Sequence, residues 1–234
     1  MRIDFDSFTV TAATADLADA DEPTAREHAD AVEFRMDLTD DPLEALEAYD
    51  GSLPIIATNR AAWEGGEWDG DDGDRLETLS EATAFDAVGA IDVELESILD
   101  GAAEDVLETA RERDASVIVS SHDFEGTPPR GELVSTLTEA GKYADVAKLA
   151  VTAESNADTI ALLSATEQLA YHGDRVATMA MGEVGRHTRA VAPVYGSRIG
   201  YAPVDPDEAT APGQYDLETL SRLVADLDGP TAEN

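Results

Sequence analysis

Ala31-Val32-Glu33-Phe34-Arg35-Met36-Asp37-Leu38 alternates without a break. In an extended chain Val32, Phe34, Met36 and Leu38 share one face, and Glu33, Arg35 and Asp37 share the other. Ile91-Asp92-Val93-Glu94-Leu95-Glu96 repeats the pattern, with Asp92, Glu94 and Glu96 opposite three apolar residues. On a sheet wetted on one side such charged faces are simply solvated. In a parallel barrel the apolar face packs outward on helices and the charged face turns inward. Charge there is costly unless paired, and near the C-terminal strand ends it is where such a fold builds its site.

The rest of the chain decides between these two settings. Short runs rich in Val, Ile or aromatic residues occur at Phe8–Ala12, Ala31–Asp37, Leu53–Asn59, Ala90–Leu95, Ser116–Ser121, Val146–Val151, Arg175–Met181 and Arg198–Pro203. Between them the apolar spacing becomes helical. Asp74–Phe85 carries Leu76, Leu79, Ala82 and Thr83. Ala103–Arg113 carries Val106, Leu107 and Ala110, and Glu132–Ala140 carries Leu133, Leu137 and Ala140. Asn156–Tyr171 carries Ile160, Leu163 and Leu169. Asp216–Leu227 carries Leu217, Leu220, Leu223, Val224 and Leu227. Asp16–Ala29, Pro42–Tyr49 and Glu183–Ala190 are weaker helical stretches. Eight alternations predict parallel strands with helical crossovers, hence an α/β fold: a single-domain (β/α)8 TIM barrel over residues 1–234, with Asp228–Asn234 as a frayed tail. An open doubly wound sheet is the runner-up.

Composition narrows the function classes. Fifteen basic residues against 51 acidic ones give a formal charge of −36, and 43% of residues are hydrophobic, enough for a core. Such a field repels nucleic acid. The absence of cysteine excludes disulfides and thiol chemistry. No apolar run approaches the ~18 residues of a membrane span. Met1–Asp6 lacks the basic start and apolar core of a signal peptide, so a cytoplasmic location is expected. Acidic residues spread along the whole chain, and all but two of the cations are arginine. A chain this charged suits a very salty cytoplasm, where the Debye length falls from ~8 Å to ~3 Å between 0.15 and 1 M salt.

The two lysines are Lys142 and Lys148. Lys148 sits inside Val146-Ala147-Lys148-Leu149-Ala150-Val151, facing the same way as Val146 and Ala150. An amine in a dry pocket beside cations loses its proton more readily and can attack a ketone to form an imine. The alternative is a lysine snorkelling at a strand end. His122 closes the run Val117–Ser121, a position suited to a general base or acid, or to a structural hydrogen bond. His28 and His172 read as surface residues, and His187 is open. Arg35, Arg60 and Arg189 lie in or after strand runs, with Glu64 shortly after Arg60. Arginines at one barrel mouth suit an anionic, hydroxyl-rich ligand, though each could equally pair with the abundant carboxylates. No metal constellation appears. Gly182-Glu183-Val184-Gly185 is too short and too late for a dinucleotide loop, and Gly65-Gly66 and Gly70 to Gly73 read as turns.

Taken in order, Glu33-Phe34-Arg35-Met36-Asp37, Asn59-Arg60 with Glu64-Gly65-Gly66, Ile91–Leu95, Ser121-His122-Asp123-Phe124, Thr127-Pro128, Lys148, Met181-Gly182 through Arg189, and Ala211-Pro212-Gly213-Gln214 resemble type I 3-dehydroquinase. The resemblance runs from about residue 8 to 227. It implies dehydration of 3-dehydroquinate to 3-dehydroshikimate in the shikimate pathway, without cofactor or metal, in a homodimer. Lys148 would form an imine with the substrate ketone, His122 would move protons, and Glu64 would orient or charge-tune His122. Arg189 and Gln214 would hold the substrate carboxylate. Glu33, Arg35 and Arg60 would hold ring hydroxyls, with Asp92 and Glu94 behind them. Thr210 belongs to the substrate-binding set and stands where the family usually has serine. Thr127–Arg130 and Asp205–Gly213 would close over the site. Two other functions fit part of the pattern: a class I aldolase-type imine-forming barrel acting on a phosphorylated sugar, and a non-catalytic carboxylate-binding barrel.

Salt dependence follows from charge alone. Thermal melts in about 0.1 to about 3 M KCl should show a midpoint that rises steeply as self-repulsion is screened. A midpoint flat or falling with salt would contradict salt adaptation.

Overall fold

The computed structural model describes residues 2–68, 70–205 and 211–228. Eight parallel strands form one sheet: β1 (Thr9–Thr14), β2 (Ala31–Arg35), β3 (Ile55–Thr58), β4 (Val88–Glu94), β5 (Ser116–Asp123), β6 (Val146–Thr152), β7 (Val176–Met181) and β8 (Ile199–Pro203). Their order is β7-β6-β5-β4-β3-β2-β1-β8. The ends of that sheet meet where Ser197 bridges Val176 and the Arg198 N–H donates to the Val176 carbonyl at 2.8 Å. The result is a near-closed (β/α)8 barrel.

Among the described residues, ten helices lie in chain order: α1 (Pro23–His28), α2 (Pro42–Ala48), α3 (Asp72–Ala82), α4 (Leu95–Leu99), α5 (Glu104–Glu112), α6 (Arg130–Ala140), α7 (Asn156–Tyr171), α8 (Gly182–Gly185), α9 (Thr188–Val191) and α10 (Leu217–Asp228). Their starts follow local chemistry. Proline opens α1 and α2, where its missing N–H costs nothing. Asp71 accepts the Gly73 N–H at 2.8 Å to cap α3. Asp158 accepts the Ser155 N–H at 2.7 Å at the start of α7.

The alternation read from the sequence separates an inner core from two outer ones. Val32, Phe34, Ile91 and Val93 face outward onto the helices in the larger one. Inside the barrel, Ala31, Ile56, Ala90, Ile118, Val146 and Ile199 form an apolar floor, and polar side chains stand above it. The N-terminal segment closes this floor from below. Phe5 is 1% exposed and packs among the interior residues. The Ile3 carbonyl accepts from Ser116, and Arg2 pairs with Asp114 and Asp145. Phe5 has φ of 51°, a left-handed conformation that costs a non-glycine residue about 1–2 kcal/mol. The burial of its ring offsets that cost.

Several boundaries differ from the sequence-based expectation. The strand predicted over Ala31–Asp37 stops at Arg35, because Met36–Leu38 turns into a 3-10 helix that exposes Leu38 and turns Asp37 back toward the site. The strand predicted to end at Leu95 gives way to α4 there, so Glu96 is exposed rather than interior. The first strand begins at Thr9, not Phe8, and continues to Thr14. Gly73 lies in α3, not in a turn. Glu183–Ala190 splits into α8 and α9. Ile160, expected on the buried face of α7, is 66% exposed; that face holds the expected Leu163 and Leu169 with Leu162, Ala165 and Thr166. Leu227 is likewise exposed on α10. Helix α10 extends through Asp228, and residues 229–234 of the expected tail lie outside the described residues.

Phe5→Ala should empty the barrel base and destabilise the protein by about 3–5 kcal/mol, read by denaturant unfolding in molar KCl. A loss below about 1 kcal/mol would show that the plug is not integral to the fold.

Candidate active site

The charged inner residues of β2 to β6 are buried and paired. Arg60 follows β3 and is 4% exposed. Its guanidinium donates to Asp92 at 2.7 Å, to Glu94 at 2.9 Å and to the Ser120 hydroxyl at 2.8 Å. The Ser120 hydroxyl donates to the same Asp92 oxygen at 2.6 Å. The other Asp92 oxygen accepts from Lys148 Nζ at 2.8 Å, and Glu33 stands 3.7 Å from that amine. Thr58 donates to Glu33 at 3.1 Å. Burial alone would raise the Asp92 carboxyl, but Arg60 and Lys148 outweigh it and hold it well below the usual carboxylate range. Burial opposes charge on Arg60 too, and Asp92 and Glu94 push its pKa above the ordinary arginine value.

A second buried arginine completes the network from outside the barrel. Arg75 on α3 is 0% exposed. It donates to Glu94 at 2.7 Å, to the Asn59 carbonyl at 2.7 Å, to Ser97 at 3.0 Å and to Asp72 at 2.7 Å. Asn59 answers by donating to the Arg75 carbonyl at 3.0 Å. Glu94 is therefore clamped between two guanidinium groups, and it also accepts the Ala61 N–H at 3.2 Å.

Register places the imidazole beside the amine. Ser120 pairs with Lys148 across β5 and β6, and His122 lies two residues further along the same face. Glu64 accepts the His122 backbone N–H at 2.7 Å and lies 3.1 Å from His122 Nδ1. The loop carrying Glu64 is drawn in by Asp37, which accepts the Arg60 and Glu67 N–H groups and both arms of Arg35 at 2.8 and 2.6 Å. Two glycines let that loop pass: Gly65 has φ of +80° under the Phe124 ring, and a Cβ on Gly66 would meet the Arg60 carbonyl at 2.1 Å. Phe124 stacks on His122 with centroids 5.9 Å apart.

With Glu64 ionised, its oxygen accepts a hydrogen bond from Nδ1–H, which leaves the lone pair on Nε2. Burial, Arg60 and Lys148 push His122 well below 6.5, so the ring is a neutral base. Burial raises Glu64 to about 7 against the pull of Arg60.

One cavity collects these groups. Lys148, His122, Glu64, Glu33, Arg35 and Arg60 line it with Arg189 and Gln214. Arg189 is 4% exposed with no carboxylate partner among the described residues. Among the described residues it donates to the Pro212 carbonyl, at 3.3 Å, and its Nε finds no partner. Burial lowers its pKa to about 10. Gln214 Oε1 accepts the Ala211 N–H, and the Pro212 carbonyl accepts the Gly182 N–H. The described part of the last loop, Ala211–Gly213, therefore docks on the start of α8.

A family model described as type I 3-dehydroquinase matches residues 7–229. The chain belongs to this family. Proteins named 3-dehydroquinate dehydratase from Haloarcula marismortui and Halobacterium salinarum are 56% and 49% identical, each covering 96% of this chain, and 98% and 100% of those proteins. These relatives come from halophilic archaea. The crystal structure of 3-dehydroquinate dehydratase from Geobacillus kaustophilus matches with a TM-score of 0.84 at 27% identity, covering 97% of this chain and 93% of that one. The Clostridium difficile type I enzyme, described with covalent modified comenic acid, matches at 0.83 and 26%, covering 94% and 92%.

Of the catalytic and substrate-binding residues the type I pattern pointed to, Thr210 lies outside the described residues and the other eight line one cavity, with Asp92 and Glu94 behind it. One expectation changes. The amine's immediate neighbours are the carboxylates of Asp92 and Glu33, with the arginines behind them, because Arg60 is itself drawn to Asp92 and Glu94. Arg35 and Arg60 are likewise ion-paired within the site. His187, left open by the sequence, is exposed, and so is His172. Arg75 was missed. The available signal was its phase: it stands four residues before Leu79 on the buried face of α3, where an arginine demands a buried acid.

The acid side of the pH profile should belong to Glu64. As pH falls through about 7 the carboxyl takes a proton, can donate it to Nδ1, and moves the ring proton to Nε2, where it blocks the base. The kcat/KM of this dehydroquinase should therefore rise with pH through about 7, and Glu64→Gln should remove that limb while lowering the plateau. A limb unchanged in Glu64→Gln would separate Glu64 from the titration.

Proposed function

We propose that this chain dehydrates 3-dehydroquinate to 3-dehydroshikimate, a shikimate-pathway step, through an imine on Lys148. The observation that carries the reading is one cavity holding a buried strand lysine, a carboxylate-fixed histidine and a buried arginine that has no acid partner among the described residues.

The ketone carbon at C3 is attacked by Nζ, and the adduct loses water to leave an iminium. That cation makes the adjacent C2 proton acidic. His122 Nε2 takes the proton, the C2–H pair becomes an enamine, and the enamine expels the C1 hydroxyl as His122 returns the proton to it. Water then hydrolyses the imine and restores Lys148. Protons and electrons balance within the substrate, one imidazole and water, so the reaction calls for no redox group. The substrate carboxylate fits Arg189, whose desolvated guanidinium gains most from an arriving anion. Gln214 extends that seat, with Thr210 as its neighbour along the same loop. Glu33, Arg35 and Arg60 face the ring hydroxyls with the hydrogen-bonding capacity left after their internal pairs. Thr127–Pro129 and the described segment Ala211–Gly213 close over the bound ring.

A homodimer in the cytoplasm completes the proposal. The apolar side chains left exposed at the end of α7, namely Tyr171 with Val194 and Tyr195 alongside, are the surface we assign to the second copy. No helix among the described residues is long and apolar enough to cross a membrane.

Incubation with 3-dehydroquinate in molar KCl should produce enone absorbance, and borohydride should then leave one reduced adduct that maps to Lys148. Lys148→Ala should reduce turnover to background. Lys142→Ala should leave it nearly intact, since Lys142 is exposed and pairs with Glu139. Full activity in Lys148→Ala, or an adduct on Lys142, would overturn the mechanism.

A further inference from the structure

Tyr201 is a cavity residue that neither the motifs nor the ion network uses. It sits on β8, one inward position beyond Ile199, and is 4% exposed. Lys148 Nζ lies 4.3 Å from the centre of its ring, over the face. That contact needs only a ring, since phenylalanine offers a comparable π-face to a cation. The hydroxyl is what requires an explanation. It is buried and has no hydrogen-bond partner among the described residues, although a buried hydroxyl without a partner is a cost that native folds avoid.

We propose that the Tyr201 hydroxyl donates a hydrogen bond to the oxygen of the carbonyl that Lys148 attacks. This rests on the imine mechanism given above and adds to it a residue for the first step. As the N–C bond forms, the carbonyl π pair moves onto oxygen, and that oxygen becomes the site of developing negative charge. A donor already in place there stabilises the adduct more than the ketone, which is the condition for catalysis. The tyrosine keeps its proton throughout. His122 first takes one proton from the Lys148 ammonium, which frees the amine to attack; the adduct nitrogen then supplies one proton to the oxygen, the His122 imidazolium returns the second, and the oxygen leaves as water.

Two features of the surroundings agree with a donor role. Burial, with Glu33 and Asp92 nearby, pushes the phenol well above its ordinary value of 10 and keeps it protonated. The pocket also supplies few competing acceptors, because Asp92 and Glu33 already accept from Lys148, Arg60, Ser120 and Thr58. The hydroxyl is thus left for an oxygen brought by the ligand.

Tyr201→Phe tests this, because the ring and its packing remain. Two measurements are made in molar KCl: the single-turnover rate at which borohydride traps 3-dehydroquinate on the protein, and the melting temperature without ligand. The trapping rate should fall roughly 10- to 100-fold, while the melting temperature stays the same or rises, since no bond is lost in the free protein. A trapping rate equal to wild type would overturn the proposal. So would a melting temperature lower by several degrees, which would give the hydroxyl a partner in the free protein. Failure of wild type itself to be trapped would instead remove the imine mechanism, and is read in the same experiment.

Discussion

Two carboxylates, Asp92 and Glu94, point into the barrel above its apolar floor, and everything around them follows from the need to pair them. Burying an unpaired carboxylate costs several kcal/mol even after relaxation. Arg60 spans both, Arg75 reaches Glu94 through the barrel wall, and Lys148 takes the remaining oxygen of Asp92. The pairing fixes the amine at a defined height in the barrel and delivers it to the same cavity as His122. Breaking one member exposes the rest, so the site and the fold share one set of interactions.

This interior is electrostatically separate from the exterior. The formal charge of −36 is spread along the whole chain, where mobile ions screen it. The buried pairs are within hydrogen-bonding distance and closed to solvent, and salt scarcely reaches them. Arg189 shows the advantage of that separation. In a chain so rich in acids it is buried, with no carboxylate partner among the described residues. An arriving anion is repelled by the distant surface only weakly in concentrated salt, and meets a desolvated guanidinium at close range.

Much of this was legible in the sequence, and the reasons are local. Period-two alternation in Ala31–Arg35 and Ile91–Glu94 marks inner and outer faces because strand geometry admits no other arrangement. Eight such units with helical spacing between them leave a barrel as the simplest closure. Lys148 stood out because a strand interior suits lysine poorly, and His122 because it ends a strand. The hidden parts depend on distance. Nothing near Phe5 indicates that it will fill the barrel base more than eighty residues from its partner segment around Gly89. Helix α4 is a single short turn whose start, Leu95, continues the strand's own alternation. Arg75 required matching a helix residue to an acid on a different strand. Tyr201 falls inside the run Arg198–Pro203 with nothing in the sequence to single it out, and the three-dimensional position of Lys148 gives its ring and hydroxyl a meaning. Asp37 likewise read as a third inward charge, whereas the chain turns at Met36 and uses it to gather the Glu64 loop.

The central claim is that the buried ion network is one coupled unit, insulated from solvent salt. A double-mutant cycle on Arg60→Met and Glu94→Gln, followed by reversible unfolding at about 1 and about 3 M KCl, measures it most directly. The account predicts a coupling of at least about 2 kcal/mol that is the same at both salt concentrations. Additive effects of the two substitutions, or a coupling that fades between those salt concentrations, would contradict it.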